Sequence, residues 1–331
     1  MIIGIESTAH TFGIGIVDKG RILANVKDSY TTEKGGIIPI ESAKHHANIA
    51  ETIYNEAIRQ AKITESQIEA IAFSQGPGLA PCLLQGLKFT KALAKRLSLP
   101  VIPVNHCIAH LEIGKLTGAT DPVLLYVSGA NTQVIAYASG KYRIFGETLD
   151  IGVGNFIDTF GRYSGLGFPA GPKIAELADK ARKNKAKYVE LPYSIKGMDV
   201  TFSGMLTNLK QKLESGKYKL EDLSFSLEET AFAMLIEAAE RALAHTGKKE
   251  LLLGGGVACN ARLQEMCKVM CEERQAEFFC PDKSLLVDQG AMIAFLGEIM
   301  FQAGIKVKGK DIGALDIKPR QRTDDIKVSW K

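Results

Sequence analysis

No stretch of this 331-residue chain is apolar for long enough to cross a membrane. The best runs, 231–239 and 291–301, are broken by Glu237 and Glu298 and fall short of the roughly 20 residues a spanning helix needs. No secretory leader is expected either, because Met1-Ile2-Ile3-Gly4-Ile5 reads directly as a strand. The six cysteines lack the spacing of a disulfide framework. Cys267 and Cys271 stand four apart on an expected helix, and Cys107 and Cys280 lie in apolar runs. These absences predict reduced core thiols and a cytoplasmic protein. Basic excess is missing too: Lys plus Arg is 41 against 37 for Asp plus Glu, a formal charge of +4. A dedicated nucleic-acid binder carries more, so any RNA handling here rests on a local patch or on partners. Walker loops, GxGxxG, a kinase catalytic loop and low-complexity linkers are all absent.

What is present is an α/β pattern long enough for two cores. Its 32 glycines gather at strand ends, where such proteins bind ligands. Strands are predicted at 2–6, 13–17 and 21–27, with Asp18-Lys19-Gly20 as a hairpin turn. A helix over 42–62, a capping box at Thr64-Glu65-Ser66-Gln67, a strand at 68–73, a helix to about 97 and a strand at 101–104 follow. From Pro122 the opening repeats. Leu124-Leu125-Tyr126-Val127-Ser128-Gly129-Ala130-Asn131-Thr132 parallels Ile3-Gly4-Ile5-Glu6-Ser7-Thr8-Ala9-His10-Thr11, and Arg21-Ile22-Leu23 returns as Arg143-Ile144-Phe145. The spacing suggests a duplicated three-stranded meander, with a chance likeness of two hairpins as the alternative. Later elements are helices at 154–163, 173–183, 203–214, 227–245, 261–274 and 289–302, strands at 251–253 and 276–280, and a basic, mostly extended tail. Two domains are expected, 1–120 and 121–302, with 303–331 joining the first.

Three features carry chemistry. His106 and His110 are four apart at a helix start after an apolar strand, so both imidazoles share one face. They read either as two ligands of one metal or as a packed, hydrogen-bonded pair. A zinc protease needs Glu immediately after the first His, and that position is Cys107. Ser128-Gly129-Ala130-Asn131-Thr132 and Gly254-Gly255-Gly256 are glycine turns after strands; each reads as an ordinary turn or as a phosphate cradle. Asp288, before an apolar helix, reads as an N-cap or as an oxygen ligand.

At this point the residues match a known family. The chain resembles the tRNA threonylcarbamoyladenosine synthesis transferases, the catalytic subunits of the KEOPS complex in archaea and eukaryotes, related to bacterial TsaD. The resemblance rests on Gly4-Ile5-Glu6-Ser7-Thr8-Ala9-His10, Ala72-Phe73-Ser74-Gln75-Gly76-Pro77-Gly78-Leu79, Val104-Asn105-His106-Cys107-Ile108-Ala109-His110, Leu125-Tyr126-Val127-Ser128-Gly129, Phe145-Gly146-Glu147-Thr148-Leu149-Asp150, Lys196-Gly197-Met198-Asp199 and Gly255-Gly256-Val257-Ala258. It spans essentially the whole chain. It implies the fold of actin, chaperone ATPases and sugar kinases, in which two RNase H-like domains face a nucleotide cleft. It implies one divalent metal, iron or zinc, on His106, His110, Tyr126 and Asp288. Substrate contacts are implied at Tyr126, Val127, Ser128, Gly129, Ala130, Asp158, Gly171, Glu176 and Asn260. The implied reaction moves threonylcarbamoyl from its adenylate to N6 of adenosine 37 in tRNAs reading ANN codons. A small kinase subunit and small accessory subunits are implied as separate chains. His10 and Glu6 are base candidates by position. Departures from the family pattern are Ala130, Ala170, Ala175, Ala261 and Gln289, and they bear on nucleotide affinity rather than on the reaction. The competing reading is an ATPase or kinase on the same fold.

Overall fold

The computed structural model describes residues 1–32 and 36–331. Its first strands, β1 (Ile2–Glu6), β2 (Thr11–Asp18) and β3 (Arg21–Ser29), form an antiparallel meander. The β2–β3 turn places Lys19 and Gly20 at positive φ, the two-residue turn whose twist suits a hairpin. After helix α1 (Pro39–Ala61) come β4 (Ala70–Gly76), α2 (Ala80–Leu97), β5 (Val101–Asn105) and α3 (His106–Gly114). The capping box at Thr64 is formed. The sheet order is β3-β2-β1-β4-β5, with β1, β4 and β5 parallel.

The second half repeats this plan. Strands β6 (Val123–Val127), β7 (Thr132–Ala138) and β8 (Lys141–Glu147) form a second meander, and its β7–β8 turn again has two positive-φ residues, Ser139 and Gly140. Helices α4 (Val153–Tyr163) and α5 (Gly171–Lys183) lead to a small hairpin, β9 (Ile195–Lys196) with β10 (Asp199–Val200). Then come α6 (Ser203–Glu214), α7 (Leu220–Thr246), β11 (Glu250–Gly254), α8 (Ala261–Glu273), β12 (Glu277–Phe279), the short α9 (Lys283–Leu286) and α10 (Gly290–Gln302). The sheet order is β12-β11-β6-β7-β8, the same topology in the same sequence of strands. Duplication of the meander extends to the whole five-stranded sheet.

Period-two alternation sorts the strands' side chains between layers. Ile3 and Ile5 face a core with α1 and α2, while Val123, Leu125 and Val127 face one with α4 to α8. Leu124 and Tyr126 point the other way, into a core between the two sheets that also takes Ile2, Val104, Ile108, Leu111, Met292 and Ile293. Helices α3 and α10 therefore lie between the sheets. The structure differs from the sequence expectation at several ends: α1 starts at Pro39 rather than 42, and β4 covers Ala70–Gly76 rather than 68–73. Helix α7 starts at Leu220 rather than 227, and β2 starts at Thr11 rather than 13. The tail is not simply extended: it forms short 3-10 turns at Gly309–Ala314 and Thr323–Asp325. It pairs with β5 at Val101, then carries Ile326, Val328 and Trp330 into the inter-sheet core.

Candidate active site

The carboxyl ends of the parallel strands in both sheets point to one place. Glu6 ends β1, His106 follows β5, and Tyr126 sits near the end of β6. Helix α3 begins at His106 because the Asn105 side chain caps it, accepting the Ile108 N–H at 3.1 Å. One turn later His110 presents its ring on the same face, and the two ring centroids are 4.8 Å apart.

Asp288 arrives from the far end of the chain. The N-cap role expected as one reading of Asp288 falls to its neighbour. The Gln289 side chain caps α10, accepting the Met292 N–H at 2.9 Å, so the Asp288 carboxylate is free to turn to the histidines. Its Oδ1 lies 3.4 Å from His106 Nε2 and 3.3 Å from His110 Nε2. The Tyr126 hydroxyl stands 3.0 Å from His106 Nε2. All four residues are buried apart from a 15% exposed Asp288 side chain. Ligand atoms of His106, His110 and Asp288 fall within 4.8 Å of one another.

This donor set fits a cation. Four donors each about 2.0–2.1 Å from a tetrahedral ion are spaced roughly 3.3 Å apart, close to the 3.0, 3.3 and 3.4 Å that His106 and His110 make with Tyr126 and Asp288. The electrostatics agree. Burial alone disfavours charge on His106, but Tyr126, Glu6 and Asp288 outweigh it and hold the imidazole well above its ordinary range. For His110 burial dominates, despite the Asp288 hydrogen bond, and its pKa is lowered. Burial opposes ionisation of Asp288, yet the two histidines hold it well below the usual carboxylate range. Burial pushes the Tyr126 phenol up. The pocket thus favours one positive charge among oxygen and nitrogen donors.

Behind His106 stands Glu6, fully buried, with Oε2 3.0 Å from His106 Nδ1. Its Oε1 accepts the Thr8 N–H at 2.7 Å and the Thr8 hydroxyl at 2.5 Å. A carboxylate on the far nitrogen fixes which imidazole nitrogen faces the cation. This pairing was not anticipated, since Glu6 was singled out only as a base candidate; an acidic residue ending a strand was its one signal. The Lys27 amine, also not anticipated, reaches the Asp288 carbonyl at 3.5 Å. His10 packs edge-on against Phe168, with ring centroids 5.6 Å apart.

The glycine turns lie beside this centre. The Ser128 N–H bonds the Asn131 carbonyl at 2.8 Å, while Gly154 and Asn155 donate to the carbonyls of Ser128 and Gly129. Gly255, at φ +93°, passes so close to Val127 that a Cβ would strike its carbonyl. Side chains larger than hydrogen are excluded here by backbone contact. Val127 is buried, whereas Gly129 and Ala130 are exposed. Asp158 accepts the Ala170 N–H at 2.8 Å, so it shapes the turn into α5 that ends at Gly171. Asn260 caps α8 by accepting the N–H groups of Arg262 and Leu263, and its amide donates to Glu228 Oε1 at 2.5 Å. Burial raises the Glu228 carboxyl to about 7, although Asn260 and Arg182 pull it down. Glu176 lies exposed on α5, just after Ala175, while Gln289 caps α10 and Ala261 starts α8.

Comparison with known proteins follows the same line. The family described as TsaD, tRNA N6-adenosine threonylcarbamoyltransferase, matches residues 21–295. A tRNA N6-adenosine threonylcarbamoyltransferase of Thermococcus sibiricus is 54% identical over 328 residues, covering 99% of each chain. A probable bifunctional tRNA threonylcarbamoyladenosine biosynthesis protein of Methanosarcina mazei is 50% identical over 99% of this chain but 59% of its own length. Among solved structures, Thermococcus kodakarensis HypF is similar with a TM-score of 0.63 and 13% identity, over 92% of this chain and 48% of its own. An activator of 2-hydroxyisocaproyl-CoA dehydratase from Clostridium difficile, bound to ADPNP, gives 0.55 and 12%, over 93% and 99%. At such identities these two share the fold alone: the two-sheet architecture of actin, chaperone ATPases and sugar kinases.

Proposed function

Because the chain belongs to the TsaD family of tRNA N6-adenosine threonylcarbamoyltransferases, we propose that it moves threonylcarbamoyl from threonylcarbamoyl adenylate to N6 of adenosine 37 in tRNAs reading ANN codons. The observation that carries the reading is the convergence of His106, His110, Tyr126 and Asp288 beside the 128–131 turn. In the reaction the N6 lone pair attacks the carbamoyl carbon and a C–N bond forms. The bond from that carbon to the phosphate oxygen breaks, AMP leaves with the electron pair, and N6 gives up a proton. The donor is already activated, so positioning and charge stabilisation supply most of the acceleration.

His106, His110, Tyr126 and Asp288 would hold iron or zinc, donors that suit either. Such an ion would supply Lewis-acid polarisation of the carbamoyl group and an anchor for the donor. Glu6 orients His106 rather than accepting the N6 proton, because both its oxygens are engaged. That leaves His10, packed edge-on against Phe168, as the base candidate. Tyr126, Val127, Ser128, Gly129 and Ala130 bring backbone close to the adenylate. Asp158 and Asn260 act through the turns they fix, at Gly171 and at the start of α8. Glu176, one place beyond Ala175, reaches the nucleotide only from the exposed face of α5.

The protein works with separate partners of the KEOPS complex, a small kinase and small accessory subunits. The Methanosarcina relative supports this, since this chain accounts for 59% of a protein named bifunctional. The competing ATPase reading leaves the buried histidine pair without a role. The test is His110→Ala, assayed with partners for transfer to tRNA and alone for metal content. Expected is loss of the ion and a fall in transfer beyond the roughly 10–100-fold that losing an outer-shell partner costs. Undiminished transfer, or ATP hydrolysis that needs no tRNA and survives the substitution, sinks the proposal.

A further inference from the structure

We propose that the groove between the end of α2, the start of β5 and the segment 301–313 binds the sugar–phosphate backbone of tRNA, away from the transfer site. This deepens the transferase reading and rests on it. The groove is lined by five lysines, Lys91, Lys95, Lys306, Lys308 and Lys310, and one carboxylate, Glu69. That carboxylate is already held by the N-terminal ammonium at 2.5 Å. In a chain of net charge +4, this gathers five cations against one carboxylate in a single groove. Elsewhere the arginines are largely committed: Arg59 to Glu56, Arg96 to Glu65, Arg262 to Glu229 and Arg274 to Glu240. Among the described residues, Lys95, Lys306, Lys308 and Lys310 have no carboxylate within ion-pair distance.

The lysines are held in a rigid frame. Val101 and Val307 exchange backbone hydrogen bonds at 2.9 and 2.8 Å, fixing the returning segment on the edge of β5. Lys91 spends its amine on the carbonyls of Gly313 and Leu315, at 2.9 and 2.7 Å, and so anchors the far end of the same segment. Lys95, Lys308 and Lys310 remain exposed. Between them the floor is apolar, made of Leu99, Phe301 and Ile312, and the Lys306 amine sits 4.3 Å from the Phe301 ring centroid. Cations around an apolar, partly aromatic floor track a polynucleotide backbone and shelter a sugar or base face. Strands β4 and β5 start at this groove and end at the histidine site, a separation of about 20 Å at 3.3 Å per residue. A folded tRNA spans that distance with its target adenosine in the site.

The experiment measures tRNA binding by the full chain at several salt concentrations, for wild type and Lys95→Gln/Lys308→Gln/Lys310→Gln. Each lost phosphate contact lowers the slope of log affinity against log salt by about 0.7–0.9. The expected result is a slope smaller by about 2 and a roughly tenfold or greater loss of affinity at low salt. With partners present, KM for tRNA rises while kcat and metal content stay at wild-type values. Unchanged affinity and slope in a variant with wild-type circular dichroism overturn the proposal, including the case where the variant instead loses an acidic protein partner. A wild-type chain that transfers nothing, but whose tRNA binding falls in the variant, leaves the surface standing and removes the transferase reading.

Discussion

Glu6 and His46 are both buried beneath the Ser7–His10 turn, and both do their work through neighbours. His46 Nε2 donates to the Ala9 carbonyl at 3.1 Å, and its Nδ1 is buried without a partner among the described residues. Burial, reinforced by His45 and His10, lowers its pKa to about 4 despite the Ala9 bond. In the unfolded chain it titrates near 6.5, so between pH 6.5 and 4 the unfolded state binds the extra proton. Stability therefore falls as pH drops through that window, by up to about 3 kcal/mol from this group. Urea unfolding of wild type and His46→Gln across that range checks it: their stability difference should shift by about that amount in the variant's favour at pH 4. A constant difference refutes the assignment. At this scale the sequence was legible only where spacing is local. The pair His106 and His110 follows from helical pitch, but Glu6 against His106 joins residues 100 apart and needs the sheet to exist first. Tyr126 came from family resemblance alone; strand alternation, with Leu124 on the same face, placed its ring between the sheets.

Among the elements, α10 decides whether the site closes, because Asp288 stands two residues before it. The helix lies on β1 and β2 with backbone against backbone. A Cβ on Gly15 would land on Ala291 and Gly290, and one on Gly4 would land on Ala294. Glu298 then pins the other side, accepting the N–H groups of Lys19 and Gly20 at 2.6 Å each. Gly15→Ala must push the helix outward or bend the strand, and overpacking of this kind costs about 1–3 kcal/mol. Expected are a lower urea midpoint and a weaker hold on metal, since Asp288 moves with the helix. A variant with wild-type midpoint and metal content shows that the contact yields freely. Element types were readable because periodicity and turn residues are local: the Asp18-Lys19-Gly20 turn falls where positive-φ residues close a meander. The start of α7 at Leu220 was missed because Ser224 and Ser226, poor helix formers by propensity, are buried there by tertiary packing. The tail's short turns were missed because only the groove and the inter-sheet core give its side chains a place to pack.

At the scale of the whole molecule, two sheets of identical strand order face each other across a layer made of α3 and α10. The four candidate ligands come from that layer and from β6, so an ion held there would stabilise the same arrangement as the inter-sheet core. The tail closes it from outside. Trp330, the single tryptophan, packs with Ile326 and Val328 on the inter-sheet core, and Lys331 lies over the rings of Tyr137 and Tyr142 at 4.0 and 4.9 Å. If core, tail and metal centre form one cooperative unit, Trp330 fluorescence and far-UV circular dichroism must report the same urea transition. A chelator must then lower both midpoints together. Binding at 100 times the dissociation constant contributes about 2.7 kcal/mol, enough to move a midpoint measurably. Fluorescence that changes at lower urea than circular dichroism means that the tail peels away alone. A chelator that shifts neither signal means that the four side chains hold their places without an ion.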